Sequence, residues 1–426
     1  MSHSSTQHEV LCDAIRAESF SPAAPTRRVG AEVEFLVLDA ATGFPVPLVT
    51  GPRNLVQLLR PHAARSGWRE AAGYGTVPKF VLPGQGTISF EPGGQLEIST
   101  DPRETVTDLV ALLDAIVLPL RSALGDEGVR LESIGVDPVN DARDVPLQLH
   151  VDRYETMTRY FDRRGPFGVR MMRQTAAIQV SLDRGALPAA RWRLLNDLAP
   201  YVVAIFANSP HYRREASGHR SYRAHCWRML DSTRTGVREA SDDPAADYTR
   251  FALTANDMTR SVAWRDVSFA ERGIVDPADS AWRTHLTTLF PEVRPRGHFE
   301  VRSCDAIDAR WYAAPIVFLA GLAYDDIAAR EASILAAESR ALLRTAGESA
   351  LRDPSIARTS RDLFQLALAG ARRLGNAYCG GTALETAAEF FATYTAVDRS
   401  PADDRVLPAA SPRRVSAETA SMSPRT

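Results

Sequence analysis

Residues 87–99 read TISFEPGGQLEIS, and this stretch decides the fold. Thr87–Glu91 and Gln95–Ser99 alternate apolar with polar side chains around Pro92-Gly93-Gly94, the pattern of two antiparallel strands joined by a hairpin turn. Side chains two apart on a strand share a face. Ile88, Phe90, Leu96 and Ile98 therefore face a core, while Ser89, Glu91, Gln95, Glu97 and Ser99 face away. A sheet with one apolar face needs other elements to cover it.

Outward from this hairpin the two-residue period returns in Val29–Leu38, Arg130–Val136, Thr175–Asp183 and His298–Ser303. Helical periodicity governs Thr105–Leu124, Ala189–Asn208 and nearly everything from Ala309 to Val397. Arg238–Asp247 reads as a loop. Strands come early and helices accumulate late, which predicts an α+β fold with an antiparallel sheet and helices packed on one face. No Walker-type loop and no Gly-x-Gly-x-x-Gly follows a strand, so neither a P-loop nor a Rossmann nucleotide site is expected. Residues 1–399 are expected to form one catalytic domain. Residues 400–426, rich in Ser, Pro and Ala, are expected to be a disordered tail.

Composition sets the outer limits. The 426 residues are 45% hydrophobic and 24% charged, enough for a large core, and the net charge of −2 calls for neither nucleic acid nor an anionic membrane as partner. Cys12, Cys226, Cys304 and Cys379 lie too far apart for a zinc motif or a disulfide framework. The start of the chain lacks a basic segment followed by an apolar one, and the longest clean apolar stretch, Ala313–Tyr324, is too short to span a bilayer. A cytoplasmic protein, monomeric or homodimeric, is expected.

The strand alternation also groups the acids. Glu32 and Glu34 share one face of the first strand, and Glu91, Glu97 and Glu300 occupy the corresponding non-core positions of theirs. A solvated strand face would explain any single one. Solvated faces normally mix charge signs, however, and like charges opposed across strands repel. Five carboxylates with one arginine, Arg302, make sense where cations fill the space between them. Carboxylate oxygens suit hard ions, and Mg²⁺ in particular is held by a few carboxylates plus substrate phosphates.

Four segments, VGAEVEF, EPGGQLEIS, MMRQTAAIQVSLD and RGHFEVRSCDAID, stand in an order and spacing that resembles the glutamate–cysteine ligase family of the plant and actinobacterial type, nearest to its ergothioneine-pathway branch. The resemblance covers roughly residues 8–397. It implies a glutamine-synthetase-like fold whose curved antiparallel sheet forms a funnel, with ATP and L-glutamate as substrates and L-cysteine as the amine. It also implies that Glu32 and Glu34 ligate Mg²⁺, that Glu91 and Glu97 hold metal and orient glutamate, and that Glu300 is a further ligand. Arg302 then meets the transferring phosphoryl group, with Glu91 beside it in the catalytic set. Gln95 and Gln179 are expected to contact substrate, as are Arg220, Arg223 and Arg234 from the basic segment HRSYRAHCWRMLDSTRTG. Ser181 stands where the family usually has Asn.

Other residues are read as structural: Met171, Met172 and Trp264 as packing, Gly380-Gly381 as a helix break, Cys304 as an ordinary thiol. Two alternatives stay open. One is a carboxylate–amine ligase of the same fold using a different amine, and the other is a catalytically inactive nucleotide-binding protein.

Overall fold

A computed structural model describes residues 3–24, 26–235, 241–262 and 265–406. Its centre is a nine-stranded, wholly antiparallel sheet. In chain order the strands are β1 (Val29–Asp39), β2 (Arg69–Tyr74), β3 (Val77–Leu82), β4 (Gly86–Phe90), β5 (Leu96–Thr100), β6 (Val129–Glu132) and β7 (Ala177–Asp183). A separate two-stranded ribbon, β8 (His211–Tyr212) with β9 (Glu215–Ala216), precedes β10 (Val293–Pro295) and β11 (His298–Asp305). Across the sheet the order is β10-β11-β7-β1-β5-β4-β3-β2, with β6 paired to the second half of β1. β1 is the spine: its first half is paired on both sides, Glu32 opposing Ser99 of β5 and Gln179 of β7.

The hairpin read from residues 87–99 is present, with Ile88 opposite Ile98 and Ser89 opposite Glu97. Its turn closes through Glu91 N–H donating to the Gln95 carbonyl and Gly94 N–H donating to the Glu91 carbonyl. Both glycines are required. Gly94 has φ +87°, a conformation disfavoured for residues with a Cβ, and a Cβ on Gly93 would lie 2.1 Å from the Arg173 carbonyl oxygen.

Ala31, Val33, Phe35, Ile88, Phe90, Leu96, Ile98, Ile178, Val180, Leu182, Phe299 and Val301 form the buried sheet face. Helices Val106–Asp126, Pro188–Ile205 and Ala313–Tyr324 cover it, and Pro354–Leu374 and Thr382–Thr393 pack behind them. Ala313–Tyr324 is buried along its whole length, which is why it reads as purely apolar. Among the described residues, no single helix is long and apolar enough to cross a membrane; one pair, Ala309–Tyr324 with Asp326–Leu335, meets that test only together, bent by 99°.

Several expectations need correction. The helices are not confined to one face, since a set of shorter ones roofs the other. These are Asp152–Asp162, Pro166–Gln174, Tyr222–Arg228, Pro244–Thr254 and Ser280–Leu286. The last part of the stretch expected as loop is therefore helical from Pro244, started by Asp243, whose carboxylate accepts from Ala246 N–H. Residues 236–240 and Trp264 lie outside the described residues.

Residues 400–406, expected as part of the tail, belong to the folded body. Ser400–Ala402 is buried, and Ala402 N–H donates to the Ala207 carbonyl at 2.8 Å. Asp403 pairs with Arg220 at 2.7 Å and Arg352 at 2.8 Å, and Arg405 donates to the Asn208 side-chain oxygen and the Ser133 carbonyl, both at 2.7 Å. This anchorage is polar, so hydropathy does not reveal it. Residues 407–426 lie outside the described residues.

Candidate active site

Between the non-core sheet face and its helical roof lies a cavity of about 560 Å³. The sheet contributes Glu32, Glu34, Glu91, Gln95, Glu97 and Arg302, which the strand alternation had grouped, and Gln179, which the family resemblance implied. The register makes the grouping tight. Glu34 stands directly opposite Glu97 across β1 and β5, like charge against like charge.

Each carboxylate has a different local set of donors. Glu34 accepts from Ala177 N–H and from the Gln179 amide, both at 2.9 Å. Glu97 accepts from Ser89 Oγ at 2.8 Å and Ser99 Oγ at 3.1 Å. Among the described residues, no protein donor meets the side chain of Glu32 or Glu91. Burial, then Glu97 and Glu300, push the Glu32 pKa up to about 8, against the pull of Arg302 and Arg294. Burial raises Glu34 too, opposed by Arg223 and Arg302. Glu91 is raised well above the usual carboxylate range by burial and by Glu97 and Glu34, and Glu97 is raised by burial and by Glu34. Four carboxyl groups that resist ionising beside one another form a face that positive charge would relax.

Glu300 differs. It is 1% exposed and forms ion pairs with Arg302, with Arg294 at 3.4 Å and with Arg296 at 3.7 Å. Burial alone would raise its pKa, but Arg302 and then Arg294 outweigh burial and hold it at about 2. Expected as a ligand of the cavity, it sits behind the wall as the shared counter-ion of three guanidinium groups. Among the described residues, no three His, Cys, Asp or Glu side chains close into a ready-made coordination sphere.

The other expected contacts divide clearly. Gln179 faces the cavity, and its Oε1 is buried without a partner among the described residues. Gln95 touches the cavity, but its amide is occupied: Oε1 accepts from Gly93 N–H, and Nε2 donates to the Met172 and Thr175 carbonyls. It brackets the hairpin turn to the end of helix Pro166–Gln174. Arg223 lines the cavity, whereas Arg220 and Arg234 are not among its lining residues. Arg220 is engaged by Asp403. Arg234 is fully buried, donating to Asp231, to Thr288 and to the Asn256 carbonyl, so it ties loops together.

Residues that sequence reasoning missed complete the walls. Arg294 lies directly across the β10–β11 hairpin from Glu300, and its pKa is lowered to about 10 by burial and by Arg302. The Arg296-Gly297 turn and the two-residue period in front of it were the available signal; Pro295 and the three-residue length of β10 concealed the strand. The roof adds Arg153, Tyr154, Met157, Trp227 and Tyr248. Met171 and Met172, read as packing residues, are buried and also touch the cavity. Cys304 behaves as an ordinary thiol, buried and with its pKa raised by desolvation.

Comparison with known proteins agrees with this geometry. A model of glutamate-cysteine ligase family 2 (GCS2) matches residues 28–375. The glutamate–cysteine ligase EgtA of Mycolicibacterium smegmatis is 35% identical over 362 residues, covering 80% of this chain and 82% of that protein. The chloroplastic glutamate–cysteine ligase of Nicotiana tabacum is 28% identical over 375 residues, covering 82% and 71%. Among solved structures, a glutamate–cysteine ligase from Francisella tularensis in complex with AMP superposes with TM-score 0.53 at 11% identity, covering 90% of this chain and 84% of that one. A bifunctional glutathione synthetase from Pasteurella multocida gives TM-score 0.51 at 14% identity; it covers 94% of this chain, which spans about half (51%) of that longer one. At such identities the structural likeness is one of fold, the glutamine-synthetase-like α+β fold.

Proposed function

The chain belongs to glutamate-cysteine ligase family 2, and from that premise we propose that it joins L-cysteine to the γ-carboxylate of L-glutamate at the expense of ATP. The γ-carboxylate takes the terminal phosphoryl group of ATP, and the cysteine amine then displaces phosphate to give γ-glutamylcysteine, ADP and phosphate. The observation that carries this reading is Glu34 opposite Glu97 in a cavity that also holds Glu32, Glu91 and Arg302. A merely solvated face has no reason to oppose like charges in a roofed space.

The donor set fits Mg²⁺. The ion usually takes one or two carboxylates and completes its shell with phosphate oxygens and water, so no closed protein cage is needed. Glu32, Glu34, Glu91 and Glu97 would hold it, while Glu300, behind the wall, stays ionised as the counter-ion of Arg302, Arg294 and Arg296. When bound, the metal supplies charge neutralisation to the phosphate oxygens. The protein's own groups do the rest. Arg302 offers a planar fork of donors to the moving phosphoryl group, and Arg223 adds a second guanidinium on the same wall. Gln179 fixes Glu34 through its amide and presents its free oxygen to the substrate. Met157, Met171, Met172, Trp227 and Tyr248 form an apolar, sulfur-bearing wall suited to a small thiol amine and exclude bulk water.

The experiment measures ADP release with ATP, Mg²⁺ and glutamate against a panel of amines. Turnover is expected only when all four components are present, and fastest with cysteine. No turnover with any amine, or a tenfold preference for another amine, would overturn the assignment.

A further inference from the structure

Asp305, the last residue of β11, is a buried carboxylate that the reaction as described leaves unused. It is 1% exposed and surrounded by donors: Oδ2 accepts from Asn208 N–H at 2.9 Å and Ser209 Oγ at 2.7 Å, and Oδ1 accepts from Ser221 Oγ at 2.9 Å. Gly135 packs against it so closely that a Cβ there would lie 2.4 Å from the Asp305 carboxyl carbon. Behind these neutral donors stands one cation, the 4% exposed Arg223, with Nη1 at 3.9 Å. The other end of Arg223 reaches the catalytic wall. Its Nη2 donates to the Arg302 carbonyl at 2.8 Å, and it is the charge that most lowers the pKa of Glu34. Arg223 and Arg302 both lie over the Trp227 ring, at 5.0 and 5.3 Å from its centre, and Trp227 is itself fixed by donating to the Phe290 carbonyl.

The geometry points to Asp305 as the positioning residue that holds Arg223, and through it Arg302, at a set distance from the carboxylates of the cavity. Arg223 pairs with Asp305 and lies in the field of two further carboxylates, Glu34 and Glu292, with neither of which it forms an ion pair within 4 Å among the described residues. Asp305 draws it toward the core, and Glu34 draws it into the cavity. Glu292 is tied by its own contact, Oε2 accepting from Ser303 Oγ, whereas Glu34 lines the same cavity as Arg223. Without the Asp305 charge, Arg223 closes on Glu34. It then occupies the space that substrate and cation need, and lets go of the Arg302 backbone. Burial pushes the Asp305 carboxyl pKa up; Arg223 is the first group to oppose that, followed by the donors Ser209, Asn208 and Ser221.

This inference rests on the ligase reading, and wild-type turnover under the same conditions separates failure of one from failure of the other. Asp305→Asn keeps the shape and most hydrogen bonds but removes the charge; kcat is expected to fall about tenfold or more with little change in the KM for ATP. A double-mutant cycle with Arg223→Lys supplies the readout that a purely structural role would not move. Arg223→Lys should cost about tenfold in the wild-type background and under twofold on top of Asp305→Asn. Ser221→Ala removes a hydroxyl from the same carboxylate and also a helix N-cap; it should lower the melting temperature while kcat stays within twofold. Asp305→Ser replaces the amide if the latter does not fold. Wild-type kcat in the Asp305 variant, multiplicative costs in the cycle, or an equal loss of kcat in Ser221→Ala would each overturn the proposal.

Discussion

Arg302 and Glu300, two residues apart on β11, divide their tasks by exposure. The arginine reaches the cavity and the glutamate stays behind it. Because Glu300 already provides a counter-charge, a lysine at 302 keeps the ion pair but loses the fork of donors that spans two phosphoryl oxygens. Arg302→Lys is expected to lower kcat roughly 10²-fold, about 2.7 kcal/mol of transition-state stabilisation, with a much smaller change in the KM for glutamate. Steady-state kinetics beside a melting curve checks this, and wild-type kcat would remove Arg302 from the mechanism. Glu34→Gln is expected to abolish turnover yet raise the melting temperature of the metal-free protein, because it relieves the repulsion from Glu97. Near-normal activity at saturating Mg²⁺ would reduce the acidic row to ordinary surface. These acids were legible in the sequence because strand alternation depends on nothing but parity. Arg220, Arg223 and Arg234 were indistinguishable there, since which of them faces a cavity depends on distant partners: Asp403 for Arg220, and Asp231, Thr288 and Asn256 for Arg234.

At the scale of elements, the strands with a clear two-residue period were found within a few residues. The ones missed have identifiable reasons. β2 is largely exposed and reads Arg-Glu-Ala-Ala-Gly-Tyr, with no apolar alternation, while β3 carries Pro78 and β10 carries Pro295. The β4–β5 turn is the element on which the site leans most, since it carries Glu91 and is bracketed by Gln95. Gly93→Ala would push a methyl group against the Arg173 backbone, which cannot yield as a flexible side chain would. A cost of about 1–3 kcal/mol is expected, together with a loss of activity larger than the loss of stability explains. Unfolding curves with parallel kinetics test it, and a fully active variant would show that the turn shifts without moving Glu91. The segment 400–406 was misread because its anchors are charged. Truncation after Arg399 removes the Asp403 and Arg405 contacts and is expected to cost about 3 kcal/mol, the worth of two charge-assisted hydrogen bonds. An unchanged melting temperature would mean these contacts are exposed enough for water to replace them.

For the molecule as a whole, the acidic cavity couples stability to pH in a direction opposite to the usual carboxylate. Glu32 has a folded-state pKa of about 8 against an unperturbed 4.5, so its contribution is complete below the unfolded value and is lost as pH rises through the folded one. The metal-free protein should therefore lose melting temperature between about pH 4.5 and pH 8. With Mg²⁺ and ATP bound the slope should flatten, and Glu32→Gln should flatten it without them. Scanning calorimetry across that range decides, and parallel slopes in all three samples would contradict the assignment. The fold is also closed by contacts between chain segments far apart in sequence. Glu34 meets the Ala177 N–H across 143 residues, Arg405 meets Asn208 across 197, and Tyr378 closes on the Arg27 carbonyl across 351. At roughly 5–20 residues per second, synthesis leaves β1 waiting about 7–30 s for β7, its last strand partner. A waiting strand is exposed to pairing with other unfinished chains, and charged side chains are one of the means by which strands discourage it. Glu32 and Glu34 lie on one face of that strand, so any like copy pairing with β1 would meet charge against charge.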